Sequence, residues 1–479
     1  MKYYTAISIL CAVTTASVSA FVSPKSSAVA PIAHKNVGFC PTAAAPNQSC
    51  RSNYFSSLKA AQEDTVDVVI HDLLKISTFV YTFREVRNVV KMNEGKIKKK
   101  KTGWFSREEY KVAFDTPALI LTQDGAQEKD KNRLFKYVVT PDAIKEFMAK
   151  NRKWFYEPKN GVDFEFDESV TEKTEPFKLE KKLEEATQDN LKIIDYDDEF
   201  TTNKGGLCYG VVVNLTRKWI TVVFRGTVGL TDIKADFNFK LDYDSFFKGQ
   251  EIMCGGKPGT HAGFTKYLVD EKMGDDDGRK VVERILACVN NEFESNVDVV
   301  GKDFKLYVTG HSLGGALANL FAFRAAQLKA VDHESVKHLP DKITALTFAA
   351  AVAGNHDYNK EFQALEKKGI LRHIRVANKG DVVPTNEIFF PASLAIRGNS
   401  KLYTQNGVNL FLLPDEELVV DYRNTKNCCS QFVLSVFGLK AVSNHLPPEY
   451  IRRVDLPVNK KFYQQTVEEL YATAGNFTN

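Results

Sequence analysis

Several things the chain lacks narrow the field first. Past its start, no segment approaches the roughly 18 uninterrupted apolar residues of a membrane span, so no transmembrane helix is expected. Cysteine is sparse. Of the 8 in the chain, Cys11, Cys40 and Cys50 lie near the start, leaving Cys208, Cys254, Cys288, Cys428 and Cys429. That number is odd, and no CxxC pair or Cys/His spacing suits zinc, so buried free thiols are expected, with one disulfide as the alternative. An excess of one charge is missing too. Lys and Arg total 64 against 60 Asp and Glu, a net +4. A chain this close to neutral offers no reason to expect a nucleic-acid partner. With 43% hydrophobic and 26% charged residues it has the composition of a globular protein, which excludes a rod or wholesale disorder. Its 479 residues leave room for two folded units or one large one.

Acids are absent from the first 62 residues, where Lys2, Lys25, Lys35, Arg51 and Lys59 stand unopposed before Glu63. Residues 1–20 pair Lys2 with the apolar run Ile7–Val13 and end on Ala16-Ser17-Val18-Ser19-Ala20, the charge, core and small-residue exit of a signal peptide. Phe21 opens residues 21–62, which are rich in serine and alanine as transit peptides are. A signal peptide followed by a Phe-led transit segment resembles the bipartite plastid leader of algae with secondary plastids, such as diatoms. The expected destination is the plastid by the secretory route. The alternative is secretion, with a disordered linker after the signal peptide.

Residues 66–200 read as an N-terminal α+β region of unknown role. Val69, Ile70, Leu73, Leu74, Ile76 and Val80 fall at helical spacing, which predicts one or two helices. Five lysines crowd residues 96–101, a solvated loop or a patch for an anionic membrane surface. From about residue 205 to 455 strands and helices alternate. Tyr209–Leu215, Trp219–Phe224, Phe304–Thr309, Ile343–Ala349 and Leu371–Ala377 read as strands, and Ala316–Leu328 as a helix. That order predicts an α/β fold, a doubly wound and mostly parallel sheet. Residues 456–479 read as a C-terminal tail.

The strand Phe304–Thr309 runs straight into Gly310-His311-Ser312-Leu313-Gly314-Gly315 and then a helix. This is G-x-S-x-G in a strand–turn–helix setting, a nucleophile elbow. The turn is sharp enough to require nearly side-chain-free neighbours at 310 and 314, and it lifts Ser312 onto a helix N-terminus. A serine hydroxyl needs a base, and the base needs an orienting carboxylate. On such a sheet they follow in the order Ser, acid, His. Asp381 lies in the loop after the strand Leu371–Ala377, where open α/β sheets place functional groups. His445 is the only histidine beyond residue 373. His311, His333, His338, His356 and His373 are expected to pack or face solvent. The oxyanion of a tetrahedral intermediate then has the N–H of Leu313 as one donor. The strand Trp219–Phe224, ending in Arg225-Gly226-Thr227, is the expected source of the second.

Phe224-Arg225-Gly226-Thr227, His261-Ala262-Gly263-Phe264, Gly310–Gly315, the Val376-Ala377-Asn378…Asp381-Val382-Val383-Pro384 loop and His445 with Tyr450 together resemble the class 3 (fungal-type) lipase family, over about residues 208–455. The resemblance implies an α/β-hydrolase fold, Thr227 as the second oxyanion donor, no metal or cofactor, and a lid from 228 to about 240. Leu230, Ile233 and Phe237 share one helical face there, an apolar stripe suited to close over the cleft or to turn onto lipid. The expected activity is hydrolysis of carboxylic esters of acyl lipids, with substrate met at a membrane or droplet interface. The rivals are an esterase on soluble esters and a lipase-like binding or signalling module without turnover. Oligomeric state is not legible.

Overall fold

This computed structural model describes residues 64–93, 191–197, 207–226, 240–269, 279–295, 303–381, 383–384, 403–421 and 443–475. Residues 66–93 contain no glycine or proline and repeat apolar side chains every three or four positions. They fold as a single helix, α1 (Val66–Asn93). Thr65 Oγ1 accepts the Val68 N–H at 3.4 Å, and Asp67 lies in the first turn, where negative charge suits the helix dipole. The stripe Val66, Val69, Ile70, Leu73, Leu74, Ile76, Phe79, Val80 and Phe83 is buried throughout. Leu73→Ala would cost about 2–5 kcal/mol at such a site.

Strands β1 (Leu191–Asp197), β2 (Tyr209–Asn214) and β3 (Trp219–Phe224) follow, then the small hairpin β4 (Leu241–Asp242) and β5 (Thr260–His261). Helices α2 (Ala262–Val269) and α3 (Val281–Ser295) lead to β6 (Lys305–His311), α4 (Leu313–Lys329), β7 (Ile343–Phe348), α5 (His356–Lys367) and β8 (Leu371–Asn378). Strands β9 (Val408–Leu412) and β10 (Val419–Asp421) and helices α6 (Pro447–Val454), α7 (Lys460–Tyr463) and α8 (Val467–Gly475) complete the described elements. Eight strands form one sheet in the order β1-β2-β3-β6-β7-β8-β9-β10. Its centre, β3 through β9, is parallel; β1, β2 and β10 run antiparallel to their neighbours.

A parallel sheet covered on both faces has strands that read as unbroken apolar runs. β3 and β7 are buried along their whole length. Successive side chains serve opposite faces. Tyr307, Leu346 and Phe348 enter the layer with α1 and α6–α8, whereas Leu306, Val308, Ile343 and Ala345 meet α2–α5. Polar anchors set the position of α1 on the first face. Asp64, at its start, accepts hydrogen bonds from Trp219 Nε1 (3.1 Å), Lys305 Nζ (2.5 Å) and Tyr307 OH (3.3 Å), at the beginning of β3 and β6. Three turns on, Ser77 Oγ meets Thr309 Oγ1 at 3.1 Å near the end of β6.

These contacts revise the expected organisation. The chain from Asp64 onward is one compact unit. Residues 66–200 were set apart from the α/β unit, yet their described ends belong to it: β1 pairs with β2, and α1 covers β3 and β6. The expected tail 456–479 is also folded in. Val66 N donates to Gln465 O at 2.9 Å, and Tyr463, Val467 and Leu470 are buried beside α1. Helical spacing predicts α1 itself, whereas its place on the sheet comes from distant partners. The leader (1–62) and the lysine cluster (96–101) lie outside the described residues. Cys208 and Cys288 are buried as expected, whereas Cys254 is exposed, and none of the three is in a disulfide.

Candidate active site

The site begins at the junction of β6 and α4. Ser312 has φ 59° and ψ −125°, a backbone conformation that a residue with a side chain rarely adopts and that persists only where its surroundings impose it. The surroundings are close. A Cβ on Gly314 would strike the Phe224 carbonyl at the end of β3, and one on Gly310 would strike the Gly314 carbonyl. Ser312 N donates to Phe348 O at 2.9 Å, tying the turn to the end of β7 as well. Leu313 is the first residue of α4, so its N–H is among the four amides that no intrahelical carbonyl satisfies. Developing negative charge beside Ser312 is favoured there.

Opposite the elbow, His445 Nε2 lies 2.9 Å from Ser312 Oγ. Its Nδ1 faces both oxygens of Asp381 at 3.0 Å each. The histidine side chain keeps 20% exposure while that of Asp381 has none, so a substrate can reach the base but water cannot reach the acid. The carboxylate is further held by Val383 N at 3.0 Å and by the Tyr450 hydroxyl at 2.7 Å. Burial, and then the charge of Asp381, raise the Tyr450 phenol well above its ordinary pKa, so it stays protonated and donates. Tyr450 OH in turn accepts the Asn378 N–H at 3.1 Å, where β8 ends. Gly380, at φ 85°, lets the chain turn from that strand into Asp381.

Two more side chains brace the histidine loop. His311 Nε2 donates to His445 O at 2.8 Å. Burial, and then the nearby His445, push the pKa of His311 down to about 3, so its ring is neutral with the proton on that nitrogen. Arg453 of α6 is 1% exposed and spends its donors on three segments. Nη1 reaches Lys379 O (2.9 Å) and Leu412 O (3.1 Å), Nη2 reaches Asn444 Oδ1 (2.6 Å), and Nε pairs with Glu449 Oε1 (2.7 Å). The loop carrying the acid and the loop carrying the histidine are thereby held by one planar group. A hydroxyl, an imidazole and a carboxylate in line, beside free helix amides, can activate the hydroxyl as a nucleophile and stabilise an oxyanion.

A family model, Lipase (class 3), matches residues 221–389, a span that includes the elbow and the acid loop. That stretch is similar to the class 3 lipase family. Its sheet order and nucleophile elbow are those of the α/β-hydrolase fold. The chain is 30% identical over 196 residues to "Phospholipase A1-Igamma2, chloroplastic" of Arabidopsis thaliana, covering 40% of this chain and 34% of that protein. It is 31% identical over 172 residues to "Phospholipase A1-Igamma1, chloroplastic" of the same plant, covering 35% and 32%. The chain thus spans about a third of the length of these curated relatives. Among solved structures, a lipase from Rhizopus microsporus var. chinensis aligns at 21% identity with a TM-score of 0.38, over 56% of this chain and 76% of that one.

Of the residues singled out in the sequence, Ser312, Leu313, Asp381 and His445 come together in one cluster. Thr227 and the stripe Leu230, Ile233 and Phe237 lie outside the described residues. Among the described residues no group of three His, Cys, Asp or Glu side chains is placed to hold a metal ion, and no helix is long and apolar enough to cross a membrane. The sequence does not single out Arg453, and His311, expected to pack or face solvent, instead holds the His445 carbonyl. The i, i+4 pair Glu449 and Arg453 was the visible signal for the first. Nothing in the sequence marked the carbonyls it binds.

Proposed function

We propose that the chain is a serine hydrolase that cleaves carboxylic ester bonds of acyl glycerolipids through an acyl-enzyme. The observation that carries this reading is the unbroken line Ser312 Oγ–His445 Nε2 (2.9 Å) and His445 Nδ1–Asp381 (3.0 Å). Ser312 attacks the ester carbonyl while His445 takes its proton. Leu313 N–H and Thr227 receive the charge that develops on the carbonyl oxygen. His445 returns the proton to the departing alcohol, then activates the water that releases the fatty acid. Asp381 holds the imidazole in the tautomer that leaves Nε2 free to act as base.

The family-model match and the printed names of the plant relatives support a lipid ester over a soluble one, and the names a polar glycerolipid over triacylglycerol. The substrate is then met at a membrane or droplet surface. The word "chloroplastic" in both names, with the acid-free start of this chain, supports delivery to the plastid by way of a signal peptide (1–20) and a transit segment (21–62). A fluorescent fusion of residues 1–62 in an alga with a secondary plastid should enter that organelle, and Phe21→Ala should hold it in the secretory route. Delivery of the unaltered fusion to the medium would replace this address with secretion.

The activity is tested by incubating the protein with a mixed lipid extract and identifying the class that loses fatty acid. A fluorophosphonate probe should label the wild type and not Ser312→Ala. Labelling without release of fatty acid, but with turnover of a dissolved short-chain ester, would point to a soluble-ester esterase. Neither labelling nor turnover would point to a binding module.

A further inference from the structure

We propose that Tyr81, on α1, is a positioning residue of the active site, its hydroxyl fixing the Gly226 backbone against the nucleophile. The inference rests on the serine-hydrolase reading and extends it to a helix outside the residues that match the family, 221–389.

The last bond between β3 and the strand on its β2 edge is that of Arg225, whose N–H donates to Cys208 O at 2.9 Å. The next amide, that of Gly226, donates at 2.8 Å to the Tyr81 hydroxyl, 145 residues earlier in the chain. This amide faces the opposite edge, toward the end of β6, and its acceptor there is a phenol from α1 rather than a strand. Its place matters because space is so tight. A Cβ on Gly226 would collide with the Tyr81 hydroxyl and would lie 2.5 Å from His311 O and 3.1 Å from Ser312 Cβ. Glycine is required there for room, and glycine is the residue least able to hold its own backbone angles. An outside acceptor supplies what the missing side chain cannot.

Tyr81 also meets the elbow directly. Its ring stands edge-on to that of His311, with centroids 6.5 Å apart at 69°, and His311 in turn holds the His445 carbonyl. One turn earlier on the same helix, Ser77 Oγ meets Thr309 Oγ1, just before Gly310. Side chains four positions apart share a helix face. That face of α1 thus touches β6 below the nucleophile and the end of β3 beside it. A shift of about 1 Å in a group aimed at the reacting carbonyl costs roughly 100-fold in rate. Loss of the phenolic oxygen should therefore show in turnover rather than in substrate affinity.

The test uses the full chain with Tyr81→Phe, which keeps the ring and removes the hydroxyl. On a dissolved short-chain ester, kcat should fall about 10- to 100-fold with KM within about twofold. The rate of fluorophosphonate labelling should fall by the same factor, and the unfolding temperature should be that of the wild type. A kcat and labelling rate within about twofold of the wild type would overturn the proposal. Continued labelling of Ser312→Ala would instead overturn the serine-hydrolase reading beneath it. Should Tyr81→Phe fail to fold, 3,5-difluorotyrosine placed at 81 keeps ring and hydroxyl but ionises within the working pH range, unlike tyrosine at about 10. A phenolate beside the developing oxyanion should add a falling limb to the pH profile of kcat. A profile superimposable on that of the wild type would overturn the proposal.

Discussion

Two histidines of this chain sit in dense polar networks, and the contrast between them separates chemistry from scaffolding. His445 faces a carboxylate on one nitrogen and a serine on the other, and its side chain is 20% exposed. His373, on β8, is 1% exposed and has amides and a hydroxyl for partners. Its Nδ1 donates to Asn406 Oδ1 at 2.7 Å, and its Nε2 meets Thr347 Oγ1 at 2.9 Å. Asn319 of α4 adds bonds to Asn406 Oδ1 (2.7 Å) and accepts from the Tyr358 hydroxyl (2.7 Å). Burial, and then Arg375, push the pKa of His373 down to about 3. Its ring joins α4, α5, β7 and β8 as a neutral bridge. The carboxylate is what lets the other imidazole take a proton during a reaction.

The largest effects test that contrast directly. Ser312→Ala or His445→Ala should lower kcat by about 10⁶ at unchanged unfolding temperature, because members of such a unit act together. His373→Leu should do the reverse. It removes the ring's bonds to Asn406 and Thr347, so stability should fall by about 1–3 kcal/mol while kcat stays within a few-fold. Loss of turnover in folded His373→Leu would break the comparison. Next in size is Asp381→Asn, which converts the partner of His445 into an amide like those around His373. It should lower kcat by about 10⁴ by admitting the wrong imidazole tautomer. A loss under about tenfold would show that Asp381 does not orient His445.

Tyr450→Phe should have a smaller effect. The phenol gives the Asp381 carboxylate one hydrogen bond of a kind worth about 1.5–3 kcal/mol, and only part of that differs between ground and transition states. Stopped-assay kinetics should show roughly a tenfold fall in kcat, with Asn378 N–H left without its acceptor. Unchanged kcat would place Tyr450 among scaffolding residues beside His373.

The two networks also differ in how far the sequence displays them. The elbow is legible because its parts are contiguous: strand, two small residues around Ser312, and helix. Asp381 and His445 are legible because chain order on such a sheet leaves one acid loop and one late histidine. By contrast, nothing near Tyr81 foretells Gly226, and nothing near Thr65 foretells its bridge to Thr466. Those pairings depend on where a helix lands on a finished sheet, and sequence pattern records burial rather than landing place. Asn406 is equally silent, since an amide in a loop reads the same whether it faces solvent or a buried ring.

The finest test is of the claim that His373 is locked neutral. In the unfolded chain a histidine binds its proton below about pH 6.5, while folded His373 resists protonation until about pH 3. Between those values the unfolded state holds more protons, so stability rises with pH through the window and is lost as pH falls through it. His311, lowered to about 3 by the same cause, acts in the same direction. Each such histidine steepens the acid loss by at most about 1.4 kcal/mol per pH unit. His373→Asn removes one titrating group and keeps a polar side chain in the pocket. Urea unfolding of wild type and variant at intervals from about pH 6 to 4 should therefore give a shallower slope for the variant, whatever its level at neutral pH. Carboxylates titrating in the same window are present in both proteins and cancel in the difference. Parallel curves would mean that folded His373 takes up a proton as readily as the unfolded chain does. The amide network would then tolerate an imidazolium, and the carboxylate beside His445 would no longer be what distinguishes the two histidines.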